Sequence, residues 1–252
     1  MNAAAPRHAV DVDLLRDLGA QLGYPIPDAA ADLFERYAAA ILAANARMNL
    51  TRIVAPDEIA RRHFLDSLIC LRGLSDSDAG PQRPLRCVDV GSGAGLPGIA
   101  LKILRPAWSV TLVEATGKKA AFLAEIVADL GLRDVHVLAA RAEDVGREPL
   151  HRERYDLAVA RAVALLPILV EYLLPLVRPG GRALALKGED VTAEVANAGR
   201  ALETLGGRLV ELQPYAIPGV PGTHHLVILE KIRPTPPSYP RRPGQAGRRP
   251  LG

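Results

Sequence analysis

Cysteine and aromatic residues are scarce in this sequence. The only two cysteines, Cys70 and Cys87, have no CxxC spacing and no histidine cluster nearby, which argues against a disulfide framework and against a metal site. Aromatic residues make up 4% of the chain, so extended stacking of nucleic-acid bases on exposed rings is not expected.

Long apolar runs are also missing. No run approaches the roughly 20 residues of a membrane-spanning helix, and residues 1–10 lack the apolar core of a signal peptide. We therefore expect a soluble, cytoplasmic protein without membrane contact. Apolar residues still make up 49% of the chain, which is enough for one globular domain with a substantial core.

The basic charge of the chain is concentrated at its end. Five arginines and no acidic residue fall within residues 233–252. When these five are left out of the 31 basic residues, about 26 remain against 28 acidic ones, a net charge of about −2. Overall charge is therefore no evidence for a nucleic-acid partner, and an RNA footprint on the domain must be a local patch.

Three regions follow one another along the chain. Apolar residues recur at helical spacing over 12–74, which predicts two or three helices, and the polar stretch 75–84 predicts a surface loop. We expect a helical cap and linker over residues 1–84, a core over 85–232 and a disordered, Pro- and Arg-rich tail over 233–252. Together they form a single globular domain with a basic tail.

The core alternates between strands and helices. Predicted strands are 86–90, 110–114, 135–138, 155–160 and 183–187, and predicted helices are 96–104, 118–130, 165–176 and 192–205. Such alternation indicates parallel βαβ units. Two further β-rich runs, 206–215 and 223–231, predict an antiparallel hairpin at the sheet edge. The predicted fold is α/β, with a mostly parallel, Rossmann-like sheet.

A glycine-rich loop follows the first predicted strand, in the segment CVDVGSGAGLPG at 87–98. Glycines let the backbone approach a ligand closely and adopt positive φ. The part GAGLPG at 93–98 also satisfies the GxGxxG dinucleotide fingerprint. An NAD-binding oxidoreductase is therefore one interpretation of this loop.

Two carboxylates bear on the choice of cofactor. Asp89 lies two residues before the first glycine, where it can meet a cationic amino-acid group but would repel a pyrophosphate, which favours S-adenosylmethionine. Glu114, at the end of the next predicted strand, can accept hydrogen bonds from the ribose hydroxyls of either cofactor. The structural alternative is a tight glycine turn, with Asp89 capping the loop and Glu114 as a solvated strand end.

Several ordered motifs resemble the bacterial 16S rRNA guanine-N7 methyltransferase family, also known as glucose-inhibited division protein B. They extend from about residue 45 to 231 and comprise MNLT (48–51), RHFLDSL (62–68), DVGSGAGLPG (89–98), KK (118–119), FL (122–123), ARA (160–162), ALKG (185–188) and HHLV (224–227). The resemblance implies a Rossmann-like, S-adenosylmethionine-dependent enzyme that methylates a guanine in the decoding-region loop of the small ribosomal subunit.

The resemblance also implies a set of cofactor contacts and a partner. The contacts are Gly91, Leu96, Glu114, Ala115, Thr116, Ala142, Glu143 and Arg161, to which the glycine-loop argument adds Asp89 and Gly93. The implied cofactor is S-adenosyl-L-methionine, without a metal, and the implied partner is 16S rRNA or the small subunit that contains it.

Methylation at guanine N7 needs no general base, because N7 already has an in-plane lone pair. Catalysis can then come from holding N7 and the sulfonium methyl group in line. The sequence ARA at 160–162 stands where enzymes that methylate exocyclic amines resemble one another in an Asn/Asp-Pro-Pro-Tyr stretch. We assign no catalytic acid or base. Arg161 is the candidate for positioning cofactor or RNA, with a simple ion pair as the alternative.

RNA binding needs cations that can meet phosphates. Lys118 and Lys119 rank first, because they open a predicted helix, where the helix dipole disfavours cations unless an anion compensates. The full set of candidates is Arg61, Arg62, His63, Lys118, Lys119, Arg141 and Lys187. The basic tail is a further source of nonspecific RNA affinity.

Three other functions stay open at this point. They are a methyltransferase of a small molecule or a protein, a non-catalytic ribosome-binding module, and an NAD-dependent oxidoreductase. The intact loop with Asp89 and Glu114 argues against the binding module, and Asp89 argues against the oxidoreductase.

Overall fold

The computed structural model describes residues 8–75, 80 and 82–251. The predicted surface loop at 75–84 includes residues 76–79 and 81, which lie outside the described residues. Residues 1–7, which make up most of the N-terminal stretch that lacks a signal-peptide core, also lie outside them.

A seven-stranded sheet forms the centre of the described chain. Its strands are β1 (Arg86–Val90), β2 (Ser109–Val113), β3 (Val135–Leu138), β4 (Tyr155–Arg161), β5 (Val177–Lys187), β6 (Gly207–Tyr215) and β7 (His224–Lys231). Their order across the sheet is β3-β2-β1-β4-β5-β7-β6. The first five strands are parallel, and β7 is antiparallel to both β5 and β6. The predicted α/β fold with a C-terminal hairpin is confirmed.

The helices pack on both faces of this sheet. They are α1 (Val12–Gln21), α2 (Asp28–Met48), α3 (Pro56–Glu58), α4 (Asp66–Leu68), α5 (Gly98–Leu104), α6 (Gly117–Asp129), α7 (Ala142–Val145), α8 (Leu166–Leu173), α9 (Thr192–Asn197), α10 (Gly199–Leu205) and α11 (Gln245–Arg248). A π-helical turn, Ile59–Leu65, joins α3 to α4, and a 3-10 turn, Ile69–Gly73, follows α4.

Alternating side chains along the strands separate two hydrophobic layers. In β4, Leu157 and Val159 face the layer that contains α1, α2, α5 and α6. Ala158 and Ala160 face the opposite layer, which contains α8 and α10. The N-terminal helices therefore cover the same sheet face as α5 and α6, and complete the core there.

The predicted disorder of the tail is wrong for residues 233–251, which we call the C-terminal segment. Arg241 forms an ion pair of 2.6 Å with the buried Glu171, and Arg152 donates to the carbonyl of Tyr239 over 2.7 Å. Charged groups and carbonyls thus anchor the segment, together with Tyr239 and Leu251, which pack against the layer that contains α8. A composition argument that counts apolar residues could not detect the charged and polar contacts.

None of the helices in the described ranges combines the length and the apolar character needed to cross a membrane.

Candidate active site

The glycine-rich loop joins β1 to α5 at the carboxyl end of the parallel strands, where open α/β sheets bind ligands. Gly91 and Gly95 have φ values of 72° and 98°, which favour glycine. A Cβ atom at Gly91 would lie 2.7 Å from Cγ2 of Val163, and one at Gly95 would lie 2.7 Å from the hydroxyl of Tyr37. The loop therefore needs glycine for space as well as for conformation.

Helix α2 holds this loop through Tyr37. The Tyr37 hydroxyl donates to the carbonyl of Ala94 over 2.8 Å, and the side chain is fully buried, which raises its pKa well above the usual value. Sequence reasoning placed Tyr37 only in a helical apolar pattern. The N-terminal cap thus contributes a direct contact to the loop.

Asp89 lies beneath the loop and is fully buried. Its Oδ2 accepts from the N–H of Gly98 over 2.9 Å, whereas Oδ1 has no partner among the described residues. Burial raises the pKa of this carboxyl to about 7. A buried acceptor without a partner costs free energy. Oδ1 is therefore the kind of atom that a bound cationic amino group would satisfy.

Glu114 follows β2 and is only 7% exposed, so it is not a solvated strand end. Its Oε1 accepts from Thr116 N–H over 2.7 Å, and its Oε2 accepts from Gly93 N–H over 3.0 Å. The carboxylate thereby ties the loop after β2 to the glycine-rich loop. Each oxygen retains a second lone pair, which can still accept from a ribose hydroxyl.

A cavity of about 90 Å³ opens beside this loop, and we call it the cofactor cavity. Its lining includes four of the predicted cofactor contacts: Gly91, Ala115, Ala142 and Glu143. Leu96 does not line it, because its side chain is buried in the core layer that contains α2. The free Asp89 oxygen, the Glu114 carboxylate and the small lining residues fit S-adenosylmethionine, which combines a cationic amino acid, a ribose and a purine.

Arg161 ends β4 and is 16% exposed. Its Nη1 donates to Asp66 Oδ2 over 2.9 Å and to the carbonyl of Arg62 over 3.0 Å. The other Asp66 oxygen accepts from the Tyr215 hydroxyl over 2.7 Å. Burial and the neighbouring Asp66 carboxylate both raise the pKa of Tyr215. The predicted ion-pair alternative for Arg161 is therefore present, and the pair fixes the guanidinium.

The Arg161–Asp66 pair lines a second cavity, of about 240 Å³, which we call the substrate cavity. Its apolar lining includes Leu186, Ile217 and Val220. The two cavities are neighbours, because Ala162 lines the substrate cavity and the next residue, Val163, lines the cofactor cavity. Sequence reasoning missed Asp66 and Tyr215, although Asp66 stands within the RHFLDSL motif.

Three of the predicted RNA-binding cations are engaged within the fold. His63 is buried, and its Nε2 lies 3.0 Å from the Thr51 hydroxyl. Burial, followed by the nearby Arg161 charge, lowers its pKa to about 4, which disfavours the predicted phosphate contact. Arg61 donates to Asp57 over 2.7 Å. Lys187, whose side chain is 10% exposed, donates to Glu194 over 2.6 Å.

The other four candidates stay predictions. Arg62 is exposed and lies 3.5 Å from Glu58. Within the described ranges Lys118, Lys119 and Arg141 have no ion pair, and Arg141 lines the cofactor cavity. The described residues also contain no cluster of His, Cys, Asp or Glu that could hold a metal ion.

The sheet order, the glycine-rich loop and its two carboxylates together define an S-adenosylmethionine-dependent methyltransferase. The family model described as rRNA small subunit methyltransferase G matches residues 30–218. The chain belongs to this family.

Individual relatives agree over nearly the whole chain. The ribosomal RNA small subunit methyltransferase G of Roseiflexus sp. (strain RS-1) is 51% identical over 241 residues, which cover 95% of this chain and 100% of that protein. The protein with this name in Alkaliphilus metalliredigens (strain QYMF) is 41% identical, over 94% of this chain and 98% of that protein.

Solved structures agree at the level of the fold. A SAM-dependent methyltransferase from Aquifex aeolicus has a TM-score of 0.52 at 17% identity and covers 71% of this chain and 96% of its own. M. jannaschii TYW2 in complex with AdoMet has a TM-score of 0.51 at 18% identity, and the match covers 67% of this chain and 76% of that one. With the family established, the chain is a methyltransferase that uses S-adenosylmethionine, and the oxidoreductase and non-catalytic alternatives are set aside.

Proposed function

We propose that this enzyme transfers the methyl group of S-adenosylmethionine to N7 of a guanine in 16S ribosomal RNA, in the decoding-region loop. The observation that carries the proposal is the substrate cavity beside the cofactor cavity, with Arg161 fixed in its lining. The relatives named as ribosomal RNA small subunit methyltransferases support the class of substrate. A substrate of this class also supports a cytoplasmic location.

The lining of the substrate cavity suits a base that needs no deprotonation. Asp66 already accepts from both Arg161 and Tyr215, so it is a poor proton acceptor. N7 attacks the methyl carbon with its own lone pair, the carbon–sulfur bond breaks, and the positive charge passes from sulfur to the purine. The Asp66 carboxylate can offset that charge as it develops.

Donors in the same cavity can orient the base. The ring nitrogen Nε2 of His224 is buried and has no partner among the described residues, and His224 lines the cavity and stacks on Tyr215 with 5.7 Å between ring centroids. Guanine O6 lies beside N7 and accepts hydrogen bonds. In the tautomer that carries its hydrogen on Nε2, His224 can donate to guanine O6 and so orient N7.

The test is transfer of a labelled methyl group from S-adenosylmethionine to small subunits, and to naked 16S rRNA, from a strain that lacks this protein. The modified base is then mapped by mass spectrometry of nuclease fragments. Label on a guanine N7 in the decoding-region loop is the expected result. Label on another atom, or transfer only to a small molecule or a protein, contradicts the proposal.

Arg161 provides a prediction for the same assay. Arg161→Ala is expected to lose most methyl transfer, about 100-fold or more, because the base and the cofactor are no longer held in line. Arg178→Ala is the matched control, since Arg178 forms a similar pair with Asp156 over 2.7 Å at the start of β5. An Arg161→Ala protein that melts normally and transfers at the wild-type rate would remove Arg161 from the site.

A further inference from the structure

The C-terminal segment reaches the wall of the cofactor cavity. The N–H of Gly244 donates to Oε1 of Glu143 over 2.9 Å. Glu143 is buried in α7 and lines the cavity. Within the part of the chain that the structure describes, Gly244 is the only hydrogen-bond donor to this carboxylate. The orientation of a predicted cofactor contact therefore depends on a residue near the end of the chain.

Arg241 holds the segment against α8. Its Nε and Nη2 donate to the two oxygens of Glu171 over 3.0 and 2.6 Å, and its backbone N–H donates to Oε1 over 2.7 Å. Glu171 is 0% exposed, and the next residue, Tyr172, lines the cofactor cavity. Bidentate, charge-assisted pairs are shorter and more directional than single neutral hydrogen bonds. The segment thus contacts the elements of the cavity wall at two points.

Upstream contacts fix the path of the segment without reaching the cavity lining. Arg147, which follows α7, donates to the carbonyl of Pro240 over 2.8 Å. Arg152 donates to the carbonyls of Tyr239 and Thr235 over 2.7 and 2.8 Å. These bonds fix the backbone of residues 235–240, and this places residues 241–244 next to α7 and α8.

We infer that residues 241–244 are a positioning element of the cofactor site, in which Gly244 orients Glu143 and Arg241 fixes α8 beside Tyr172. The element acts on cofactor affinity and touches no reacting atom. The inference can be tested separately from the proposed RNA substrate, because cofactor binding is measured without RNA.

Thermodynamic linkage makes this inference testable on the unaltered protein. If an ordered segment strengthens cofactor binding by a given factor, the bound cofactor must stabilise the ordered segment by the same factor. Amide hydrogen exchange reports such local opening. The Gly244 amide is a suitable probe, since its hydrogen is the one bound to Glu143.

The first experiment compares hydrogen exchange of the full chain with and without saturating S-adenosylhomocysteine. Amides of residues 241–248 are expected to exchange about tenfold more slowly with S-adenosylhomocysteine bound. A tenfold change corresponds to the contribution of about one charge-assisted hydrogen bond. Edge strand β6 is the internal control. Equal slowing in β6 and in the segment, or none in the segment, overturns the inference.

The second experiment removes the element. A chain that ends at Pro240 and carries Glu171→Gln, which avoids an unpaired buried charge, is compared with the unaltered full-length protein by calorimetric titration of S-adenosylhomocysteine. The Kd is expected to rise about tenfold, with kcat at saturating cofactor changed by less than about twofold. Equal Kd values in two folded proteins overturn the inference. If the shortened chain does not fold, the exchange measurement decides alone.

Discussion

Asp89 is a residue of the cofactor site that lowers the folding stability of the free protein. Its carboxyl is fully buried, with one hydrogen bond to Gly98 N–H, so its charged form is poorly stabilised in the free protein. The raised pKa of about 7, against an ordinary 3.8, expresses this cost. A cation that binds at the free Oδ1 would recover part of it.

The pH dependence of unfolding should reveal this cost. Between pH 3.8 and about 7 the folded protein retains a proton on Asp89 that the unfolded chain has released, so the free energy of unfolding falls as the pH rises through that window. Asp89→Asn cannot ionise and therefore does not show this fall. Urea unfolding is measured at pH 4, 5, 6 and 7.5. Between pH 4 and 7.5 the free energy of unfolding of the variant is expected to rise by about a few kcal/mol relative to that of the wild type. Parallel pH profiles for the two proteins would contradict the prediction.

At the scale of elements, the contact between α2 and the glycine-rich loop carries a second prediction. Tyr37→Phe removes only the hydroxyl that donates to Ala94. We expect the free energy of unfolding to fall by about 1 kcal/mol and the affinity for S-adenosylhomocysteine to fall several-fold, because the loop is less fixed. Titration calorimetry and urea unfolding measure the two effects.

Tyr155→Phe is the matched control for Tyr37→Phe. The Tyr155 hydroxyl lies 2.7 Å from His151 Nδ1, away from the glycine-rich loop. Its removal is expected to lower stability by a similar amount, about 1 kcal/mol, and to leave cofactor affinity unchanged. Equal affinities in both variants would show that the α2 contact has no part in binding.

The sequence predicts most elements because their signals are local. Strand alternation and the glycine-rich loop give β1 and β3 with their observed bounds. Strand β5 begins at Val177 rather than at 183. The later start was predicted because Pro179 and the two glycines after it indicate a turn, yet Val177 pairs with Tyr155 across a register shift. The predicted helix 192–205 divides at Ala198. Such outcomes depend on neighbouring elements and not on local pattern.

The site was predicted less completely than the fold for the same reason. Glycines and carboxylates beside strand ends are visible in a sequence, so the glycine-rich loop, Asp89 and Glu114 could be placed, whereas Glu143 came only from the family resemblance. The bonds from Tyr37 to Ala94, from Tyr215 to Asp66 and from Gly244 to Glu143 each join residues far apart in the chain. A single sequence contains no signal that pairs them.

At the scale of the whole molecule, RNA binding must depend on local clusters of cations, because the formal net charge of the whole chain is only +3. Lys118→Ala with Lys119→Ala should lower the slope of log affinity against log salt by about 0.7 to 0.9 for each phosphate that the protein no longer neutralises. Filter binding to 16S rRNA over a salt series measures this slope. Arg133→Ala is the control, because Arg133 is exposed and lies just before β3, at the amino ends of the parallel strands rather than at their carboxyl ends. An unchanged slope in the double variant excludes both lysines as phosphate contacts.

The position of Gly244 has a consequence for protein synthesis. Glu143 is translated 101 residues before the donor that orients it, so this hydrogen bond in the cofactor-cavity wall cannot form until Gly244 has been synthesised. Until residues 241–244 have been translated and have folded against α7 and α8, the inferred positioning element is missing, and the chain is expected to bind S-adenosylmethionine about tenfold more weakly.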